Sequence, residues 1–335
     1  EGVLSDIPAI AEIVHAHHAV LIVDEAHGAH LGFSTEFPQS AVRQGADLIV
    51  QSLHKTLPAM TQTALLHICG DRVDLQRVQY YLDIYETSSP SYVMMASMSK
   101  CLHLIGEEKD SLFSAFDEKL QDFYEIREQL KHITILDAVW AWNTYHAYMD
   151  PSKINICVAG CMRDGSIYTG KRLSAELLEK YHIETEMTAE QYVIAMTSVM
   201  DTQEGFDRLK AALLEIDSKL SVAKSGKSTI TRSAGQNSML NDEEEEAEHR
   251  ADSMQTAYTI REAMDHGQKA VDWRDAIGRI SAEFVIVYPP GAPLLVPGEV
   301  ITQELNEKVR HYQKVGLNLQ GVQDRTLQRI CIVTE

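Results

Sequence analysis

The amino-acid sequence predicts an α/β fold built around a buried parallel sheet. In the first hundred residues, short apolar runs alternate with segments of helical periodicity, and the runs are apolar at almost every position. Strands of this kind are typical of a parallel sheet that is covered on both faces. Polar residues directly follow two of the runs, and ligands of such sheets bind beyond the carboxyl ends of the strands. The pattern therefore predicts a ligand site at one edge of the sheet.

The first region runs from residue 1 to about 104 and carries this sheet. Its predicted elements are, in order, a helix capped by Ser5 or Asp6, a strand at 20–23 closed by Asp24, a short helix near 40–44, a strand at 47–51 leading into the turn with Lys55, and a strand at 63–68. Ser and Asp are favoured helix caps, and the proline at position 8 suits a first helical turn.

The second region, 105–220, predicts a smaller α/β domain. It opens with a long amphipathic helix over 104–131, whose apolar stripe includes Leu112, Phe116, Leu120 and Phe123. Strands are expected at 153–160 and 192–200, a helix running into a strand at 174–186, and a final helix at 204–220.

Residues 221–253 predict a flexible linker, because the composition shifts to Ser, Thr, Gly, Asn and acids. The stretch 225–229 resembles a nucleotide-binding loop only superficially, since Ser221 stands where that motif needs glycine. The last region, 254–335, predicts a helix over 256–273 and a strand with a proline turn over 282–293. Glu283 and Glu299 flank that turn; whether Glu283 reaches a substrate stays open, and the alternative is a solvated or interface acid.

Composition narrows the classes of function. A net charge of −19 argues against a nucleic-acid-binding surface, and no stretch approaches the length of a membrane span. The five cysteines are an odd, scattered set, which favours reduced thiols in a cytoplasmic protein. No metal site is predicted: Cys157 and Cys161 lack further ligands, and the histidines at 15, 17 and 18 are expected to end a helix.

Asp24 and Lys55 together indicate pyridoxal 5′-phosphate chemistry. Each follows an apolar strand, so the two side chains are expected at neighbouring strand ends. A lysine amine can hold the cofactor's aldehyde as an imine, and an aspartate can keep the pyridine nitrogen protonated, which makes the ring a better electron sink. Ser52 and His54 offer a hydroxyl and an imidazole to a phosphate, while Ala26 is small enough to leave room for a flat ring.

Four segments resemble the pyridoxal-dependent ornithine/lysine/arginine decarboxylases. They are VDEAHGAHLGF (23–33), GADLIVQSLHKTLPAMTQTALLH (45–67), TSSPSY (87–92) and YPPGAPLLVPGE (288–299). The spelling DEAHGAH is similar to the branch common in Gram-positive bacteria. The resemblance implies a fold-type I pyridoxal-dependent transferase, that is, the aspartate-aminotransferase fold, with a C-terminal decarboxylase domain at 254–335.

The resemblance also implies roles for individual residues. Lys55 would form the aldimine, Asp24 would pair with the pyridine nitrogen, and Ala26 would pack on one ring face. Ser52 and His54 would bind the phosphate, and Ser88 would reach the phosphate site of a neighbouring subunit in a homo-oligomer. His27 would lie near the cofactor in a role that the sequence leaves open.

Two departures from the family pattern concern whether this chain carries the complete cofactor site. Residues 96–101 read ASMSKC, where the family carries an acid and an arginine. The family also has an upstream segment with a phosphate loop and a residue that stacks on the second ring face, and neither precedes Asp24 here. The chain is therefore expected to be a fragment of a longer protein.

The expected activity is decarboxylation of lysine, ornithine or arginine to the amine and CO2, a step of polyamine biosynthesis. The three substrates cannot be separated from this sequence. Two alternatives stay open: another pyridoxal reaction on the same fold, such as transamination, and a catalytically incomplete fragment or partner subunit. The expected partners are a small basic amino acid and further copies of the chain, with neither nucleic acid nor membrane.

Overall fold

The computed structural model describes residues 2–222, 255–288 and 291–334, and the chain divides into two compact units. The first unit comprises Glu1–Ile156 and Ala195–Lys219, and the second comprises Cys157–Ile194 and Leu220–Glu335. The elements beginning in the first unit are β1 (Val3–Leu4), α1 (Ile7–Ala16), β2 (Ile22–Asp24), a 3-10 turn (Ala41–Arg43), β3 (Leu48–Ser52), α2 (Leu53–Thr56), β4 (Ala64–Ile68), α3 (Leu75–Tyr85), α4 (Tyr92–Tyr124), β5 (Thr134–Leu136), α5 (Ala138–Tyr145), β6 (Tyr148–Met149), β7 (Lys153–Cys157) and α7 (Gln203–Asp217).

A three-stranded sheet in the first unit has the order β2-β3-β4. β2 and β3 are parallel, as predicted, with Asp24 opposite Val50. β4 runs antiparallel to β3, with Ser52 opposite Ala64, so the expectation of an all-parallel sheet is wrong for this strand. The eleven-residue connection 53–63 contains only the one-turn helix α2, which cannot carry the chain back to the far end of β3 as a parallel crossover requires.

The two faces of this sheet differ, and the prediction that both are covered is wrong among the described residues. On one face Ile49 is fully buried with Ala41 and Ala46, and α1 contributes Ile7 to the same cluster. On the other face Ile22, Val50, Leu66 and Ile68 are exposed. Side chains alternate between the faces of a strand, so Asp24 and Ser52 share the open face with Val50.

The amphipathic helix predicted over 104–131 is α4, but it begins twelve residues earlier and ends at Tyr124. Ser91 caps its N terminus, and nothing between Tyr92 and Leu104 interrupts helical backbone. Phe116 and Phe123 are buried against Phe206 of α7. The core stripe of this helix is therefore Phe113, Phe116, Leu120 and Phe123, with Leu112 only partly buried.

An antiparallel pair of short strands, β1 and β6, brings the start of the chain to residues 148–150, with Val3 opposite Met149. The Asp150 N–H donates to the Gly2 carbonyl at 2.8 Å. Gly2 has a φ of +93°, and a Cβ there would lie 2.6 Å from Lys153 Cβ. Glycine is therefore needed for both the backbone conformation and the close approach.

The second unit holds the remaining described elements and a core of its own. Its elements are β8 (Cys161–Arg163), β9 (Ser166–Ile167), α6 (Gly170–Tyr181), β10 (Met187–Thr188), β11 (Tyr192–Met196), β12 (Ser221–Val222), α8 (Ile260–Asp265), β13 (Gly267–Asp272), a 3-10 turn (Trp273–Ala276), β14 (Val285–Val287), β15 (Ala292–Leu295), α9 (Gln303–Val315), β16 (Leu319–Gln320) and β17 (Arg329–Thr334). Trp273 is fully buried in its C-terminal core with Val285, Val309 and Ile332.

The helix predicted over 256–273 is wrong beyond residue 265. α8 ends after Asp265, and Gly267–Asp272 instead forms strand β13, antiparallel to β17 along its whole length. Six residue pairs join these two strands, from Gly267 opposite Thr334 to Asp272 opposite Arg329. Pairing with a strand about sixty residues away overrides the helical preference of the residues Gln, Lys and Ala.

Glu283 is buried and serves as an internal hydrogen-bond acceptor, rather than as the solvated or interface acid expected as the alternative to substrate contact. Its carboxylate accepts the N–H groups of Gln323 at 2.9 Å and Cys331 at 2.8 Å. Glu299 accepts the Val296 N–H at 2.9 Å, closing its own turn. Glu283 therefore joins a loop and strand β17 of the second unit, and Glu299 stabilises the turn at 296–299.

Several predictions concern residues outside the described ranges, namely the linker from 223 on, the stretch 225–229 within it and the two prolines at 289–290. The first two linker residues, Ser221–Val222, pair with β8. Helix α1 ends at Ala16 with His17 as its C-cap, as predicted for the histidine cluster. No helix within the described ranges has the length and apolarity needed to cross a membrane.

Candidate functional site

Asp24 is the last residue of β2 and lies on the open face of the sheet. Its Oδ1 accepts the Ala26 N–H at 3.0 Å, which turns the chain away from the strand. Within the described residues no hydrogen bond reaches its Oδ2. One carboxylate oxygen is thus held by the backbone, and the other is open to a donor from outside the chain.

Lys55 lies in the one-turn helix α2, directly after β3. Leu53 and Thr56 are buried and anchor this turn, which leaves the lysine at the carboxyl end of the strand. Lys55 Nζ lies 3.0 Å from His27 Nε2. Lys55, the residue predicted to hold the aldehyde, is therefore in direct contact with His27, whose role the sequence leaves open.

The environment of His27 favours its neutral form. Burial, followed by the positive charges of Lys55 and Lys153, lowers the pKa of His27 to about 4, while the negative charge of Asp24 acts in the opposite direction. At neutral pH the ring is therefore uncharged, and Nε2 accepts a hydrogen bond from the Lys55 ammonium group.

Ser52 and His54, the neighbours of Lys55, differ in whether their side chains are already hydrogen-bonded within the protein. Ser52 is the N-cap residue of α2, but its hydroxyl makes no capping bond and is free to bind a ligand oxygen. The His54 Nδ1–H donates to the Thr63 carbonyl at 2.9 Å. Only Nε2 of His54 is then left for a phosphate, and it can donate there only when the ring is doubly protonated.

The donor set fits pyridoxal phosphate. An amine, an open carboxylate oxygen and an uncommitted hydroxyl lie at the carboxyl ends of two adjacent parallel strands. Ala26, beside Asp24, has only a methyl side chain and leaves space for a planar ring. Lys55 would hold the aldehyde, Asp24 the ring nitrogen, and Ser52 with His54 the phosphate.

Glu25 supports this site and was not predicted. Its carboxylate accepts from Ser40 Oγ at 2.6 Å, from the Ala41 N–H at 2.8 Å and from Gln51 Nε2 at 2.5 Å. A Cβ on Gly28 would lie 2.5 Å from Glu25 Cγ, so only glycine lets the loop pass. These bonds tie the loop after β2 to β3.

A second group of residues that sequence reasoning missed lies behind His27. His30, Asp150, Ser152 and Lys153 are all buried and hydrogen-bonded to one another. His30 stands inside the recognised DEAHGAH motif, but Asp150 is 120 residues away in sequence. No local spacing signals such a contact.

Ser88 and the divergent segment 96–101 lie elsewhere. Ser88 is exposed between α3 and α4, and within the described ranges no hydrogen bond joins it to the other predicted site residues. In the divergent segment, Ser97 Oγ accepts the Met60 N–H at 2.8 Å. This bond attaches α4 to the loop that follows Lys55.

Comparison with known proteins shows which family models and which relatives the chain resembles. Residues 1–205 match the family model described as Orn/Lys/Arg decarboxylase, major domain, and residues 239–320 match the model of its C-terminal domain. The chain is 31% identical over its whole length to the arginine decarboxylase of Bacillus subtilis and 28% identical to that of Bacillus anthracis. It spans 64% of the length of each of these relatives.

Solved structures give the fold. The lysine decarboxylase of Francisella novicida matches with a TM-score of 0.70 at 16% identity, and the constitutive lysine decarboxylase of Escherichia coli with 0.68 at 19%. Each alignment covers 99% of this chain and 56% of the other chain. These likenesses confirm the predicted fold class, and the major-domain model covers well over half of the sequence. The chain belongs to the Orn/Lys/Arg decarboxylase family.

Proposed function

We propose that the protein decarboxylates a basic amino acid with pyridoxal 5′-phosphate held at Lys55. The observation that carries this proposal is the contact between Lys55 Nζ and His27 Nε2 at 3.0 Å, beside Asp24 at the end of the neighbouring parallel strand. The family relationship supports the same chemistry. When bound, the cofactor supplies an electron sink for the pair left when the bond between Cα and the carboxylate breaks.

Lys55 and His27 act as a unit in this proposal. The neutral His27 ring accepts a hydrogen bond from Lys55 Nζ and so orients the amine at the strand end. Because the His27 pKa is about 4, the ring is a weak base at neutral pH and takes little part in proton transfer. The proton that must reach substrate Cα after CO2 leaves is therefore assigned to Lys55.

The remaining predicted residues bind and orient. Asp24 presents Oδ2 as an acceptor at the position proposed for the ring nitrogen, with Oδ1 held by the Ala26 N–H. Ser52 donates its hydroxyl to the phosphate, and His54 contributes Nε2 in its protonated form. Ala26 packs on one face of the ring, and Ser88 of one copy is assigned to the phosphate site of another.

The wider setting is part of the same proposal. Curated relatives are named arginine decarboxylases and matched structures are lysine decarboxylases, so the proposed substrate is a basic amino acid. The protein would work as a cytoplasmic homo-oligomer in polyamine biosynthesis. The proposed domain boundaries remain those expected from the sequence, near residues 104, 220 and 253.

An assay of products tests this function. The protein is incubated with pyridoxal phosphate and, separately, with arginine, lysine and ornithine, and both CO2 and keto acid are measured. We expect CO2 and the matching amine from one of the three, with Lys55→Ala inactive and Lys219→Ala, a substitution in an exposed i,i+4 ion pair, unchanged.

Two other results would contradict the proposal in different ways. Keto acid without CO2 would assign transamination to the site. Absence of an imine absorbance band after the cofactor is added would assign the chain to an incomplete fragment or a partner subunit.

A further inference from the structure

Four polar residues are buried together behind the turn that carries His27. The exposed fractions of His30, Asp150, Ser152 and Lys153 are 2%, 4%, 0% and 4%. Removing a carboxylate and an ammonium group from water costs several kcal/mol per ion, and their pairing often does no more than offset that cost. Stability alone therefore gives a weak reason for this cluster.

All three N–H bonds of the Lys153 ammonium group have acceptors. Nζ donates to Asp150 Oδ2 at 3.0 Å, to Ser152 Oγ at 3.0 Å and to the His27 carbonyl at 3.4 Å. The third bond joins the cluster to the site, because His27 is the residue in contact with Lys55.

Asp150 holds Lys153 in this place. Its Oδ1 accepts the Ser152 N–H at 2.9 Å and the Ser152 hydroxyl at 2.7 Å, and His30 Nε2 lies 3.2 Å from its Oδ2. Burial by itself would raise the pKa of Asp150, but His30, Lys153 and Ser152 together keep it well below its ordinary value. The carboxylate is therefore charged, and Lys153 has a permanent counter-ion.

We propose that Lys153 is a positioning residue for Lys55 that acts through His27. The Lys153–Asp150 ion pair fixes the His27 carbonyl from behind and places a positive charge beside the imidazole, so that the ring stays a hydrogen-bond acceptor for the Lys55 amine. This inference rests on the proposed function of Lys55, and it adds a second lysine, whose three N–H bonds are all directed at protein acceptors.

The charges around His27 agree with this role. Besides burial, the charges of Lys55 and Lys153 lower its pKa, as does the chain's terminal amino group more weakly, and Asp24 raises it. Lys55 has the larger effect of the two lysines. Removal of either charge is expected to raise the His27 pKa, by more for Lys55 than for Lys153.

Titration of the His27 ring by NMR tests the proposal in the protein without cofactor. The signal is assigned with His27→Gln, and the variants are Lys153→Met, Lys153→Arg, Lys55→Met and the control Lys210→Met, which breaks the partly exposed ion pair of Lys210 with Asp122. We expect Lys153→Met to raise the His27 pKa by about one unit, Lys55→Met to raise it more, and the other two to leave it near the wild-type value.

The pH dependence of imine formation with pyridoxal phosphate is the second readout. We expect its midpoint to move in the same direction in Lys153→Met, whereas a lysine with a purely structural role would lower the melting temperature and leave both midpoints in place. If Lys153→Met does not fold, Asp150→Asn/Lys153→Met removes both charges and leaves neither ion unpaired.

An unchanged His27 pKa in a folded Lys153→Met protein would overturn the inference. Because the titration needs neither cofactor nor turnover, it separates this failure from that of the proposed function. Release of CO2 together with an unmoved His27 pKa would reject the role of Lys153 alone.

Discussion

The two faces of the β2-β3-β4 sheet differ in role: one carries candidate site residues, and the other packs against the hydrophobic core. On the open face lie Asp24 and Ser52, with exposed apolar neighbours such as Val50. On the covered face Ile49 is fully buried, and the partly buried Val23 packs against its cluster. Adjacent residues of one strand thus have opposite tasks, since successive side chains point to opposite faces.

The pair Asp24 and Glu25 makes the same contrast within two residues. Asp24 Oδ2 has no partner among the described residues, whereas Glu25 accepts three hydrogen bonds from Ser40, Ala41 and Gln51. An acid with every oxygen engaged by the protein is a structural element. Asp24, with an open oxygen beside the turn that carries Lys55, is the candidate ligand-binding acid. Substitutions of Asp24 and Glu25 can distinguish these two roles.

The largest expected effect is on activity, from Asp24→Asn. The amide keeps the shape but removes the negative charge proposed to stabilise the protonated ring nitrogen. We expect kcat to fall by about 10²–10³-fold, in the range found when one electrostatic contact to the reacting group is lost. The melting temperature should stay near that of the wild type because Asp24 is exposed. A clear fall in melting temperature alongside the fall in kcat would contradict the claim that Asp24, on the open face, serves chemistry rather than stability.

The next effect is on stability and compares neighbouring residues of β3. Ile49→Ala leaves a cavity in the covered face and should lower the free energy of unfolding by about 2–5 kcal/mol. Val50→Ala changes a side chain that is 37% exposed and should cost less than about 1 kcal/mol. Urea unfolding of both variants measures the difference, and similar values for the two would show that both faces are covered in solution.

Glu25→Gln should have a smaller effect than Ile49→Ala. The new amide group would face the Gln51 and Ser40 donors, and we expect a loss of about 1–3 kcal/mol in unfolding free energy. kcat per folded molecule should fall far less than in Asp24→Asn. A fall in kcat as deep as that of Asp24→Asn, in a protein of wild-type stability, would assign a direct chemical role to Glu25.

The smallest effect concerns pH and Asp47, which lies under the covered face. Burial would raise its pKa, but the Leu21 N–H, His15 and Arg72 lower it below the ordinary value. A depressed carboxyl pKa adds stability above the unfolded pKa, and that stability is lost as the pH falls through the folded pKa. Asp47→Asn should therefore destabilise the protein at pH 7 and much less near pH 3, as measured by urea unfolding. An equal penalty at both pH values would be the contrary result.

Features that depend on local sequence pattern could be predicted from the sequence, whereas features that depend on contacts between distant residues could not. Asp24 and Lys55 could be found because each directly follows an apolar run, and parallel neighbours bring their ends together. The contact of Asp150 and Lys153 with His27 and His30 depends on the pairing of β1 with β6, which joins residues about 145 apart. The sequence predicts helix where strand β13 forms for the same reason, because its partner β17 lies far along the chain.

The open face itself could not be predicted from strand composition. Ile22, Leu66 and Ile68 are as apolar as the residues on the covered face, and apolar alternation does not say which face a neighbouring element covers. The antiparallel direction of β4 likewise depends on the geometry of the connection 53–63 rather than on the strand's own residues.

Reduction of the protein–cofactor mixture with borohydride, followed by peptide mass spectrometry, tests the central claim most directly. Among the described residues, two lysines lie next to His27: Lys55, at the strand end, and Lys153, which is paired with Asp150. We predict a stable pyridoxyl adduct on the peptide that contains Lys55 and none on the peptide that contains Lys153. An adduct on Lys153, or labelling spread over surface lysines with Lys55 unmodified, would contradict the assignment of the site.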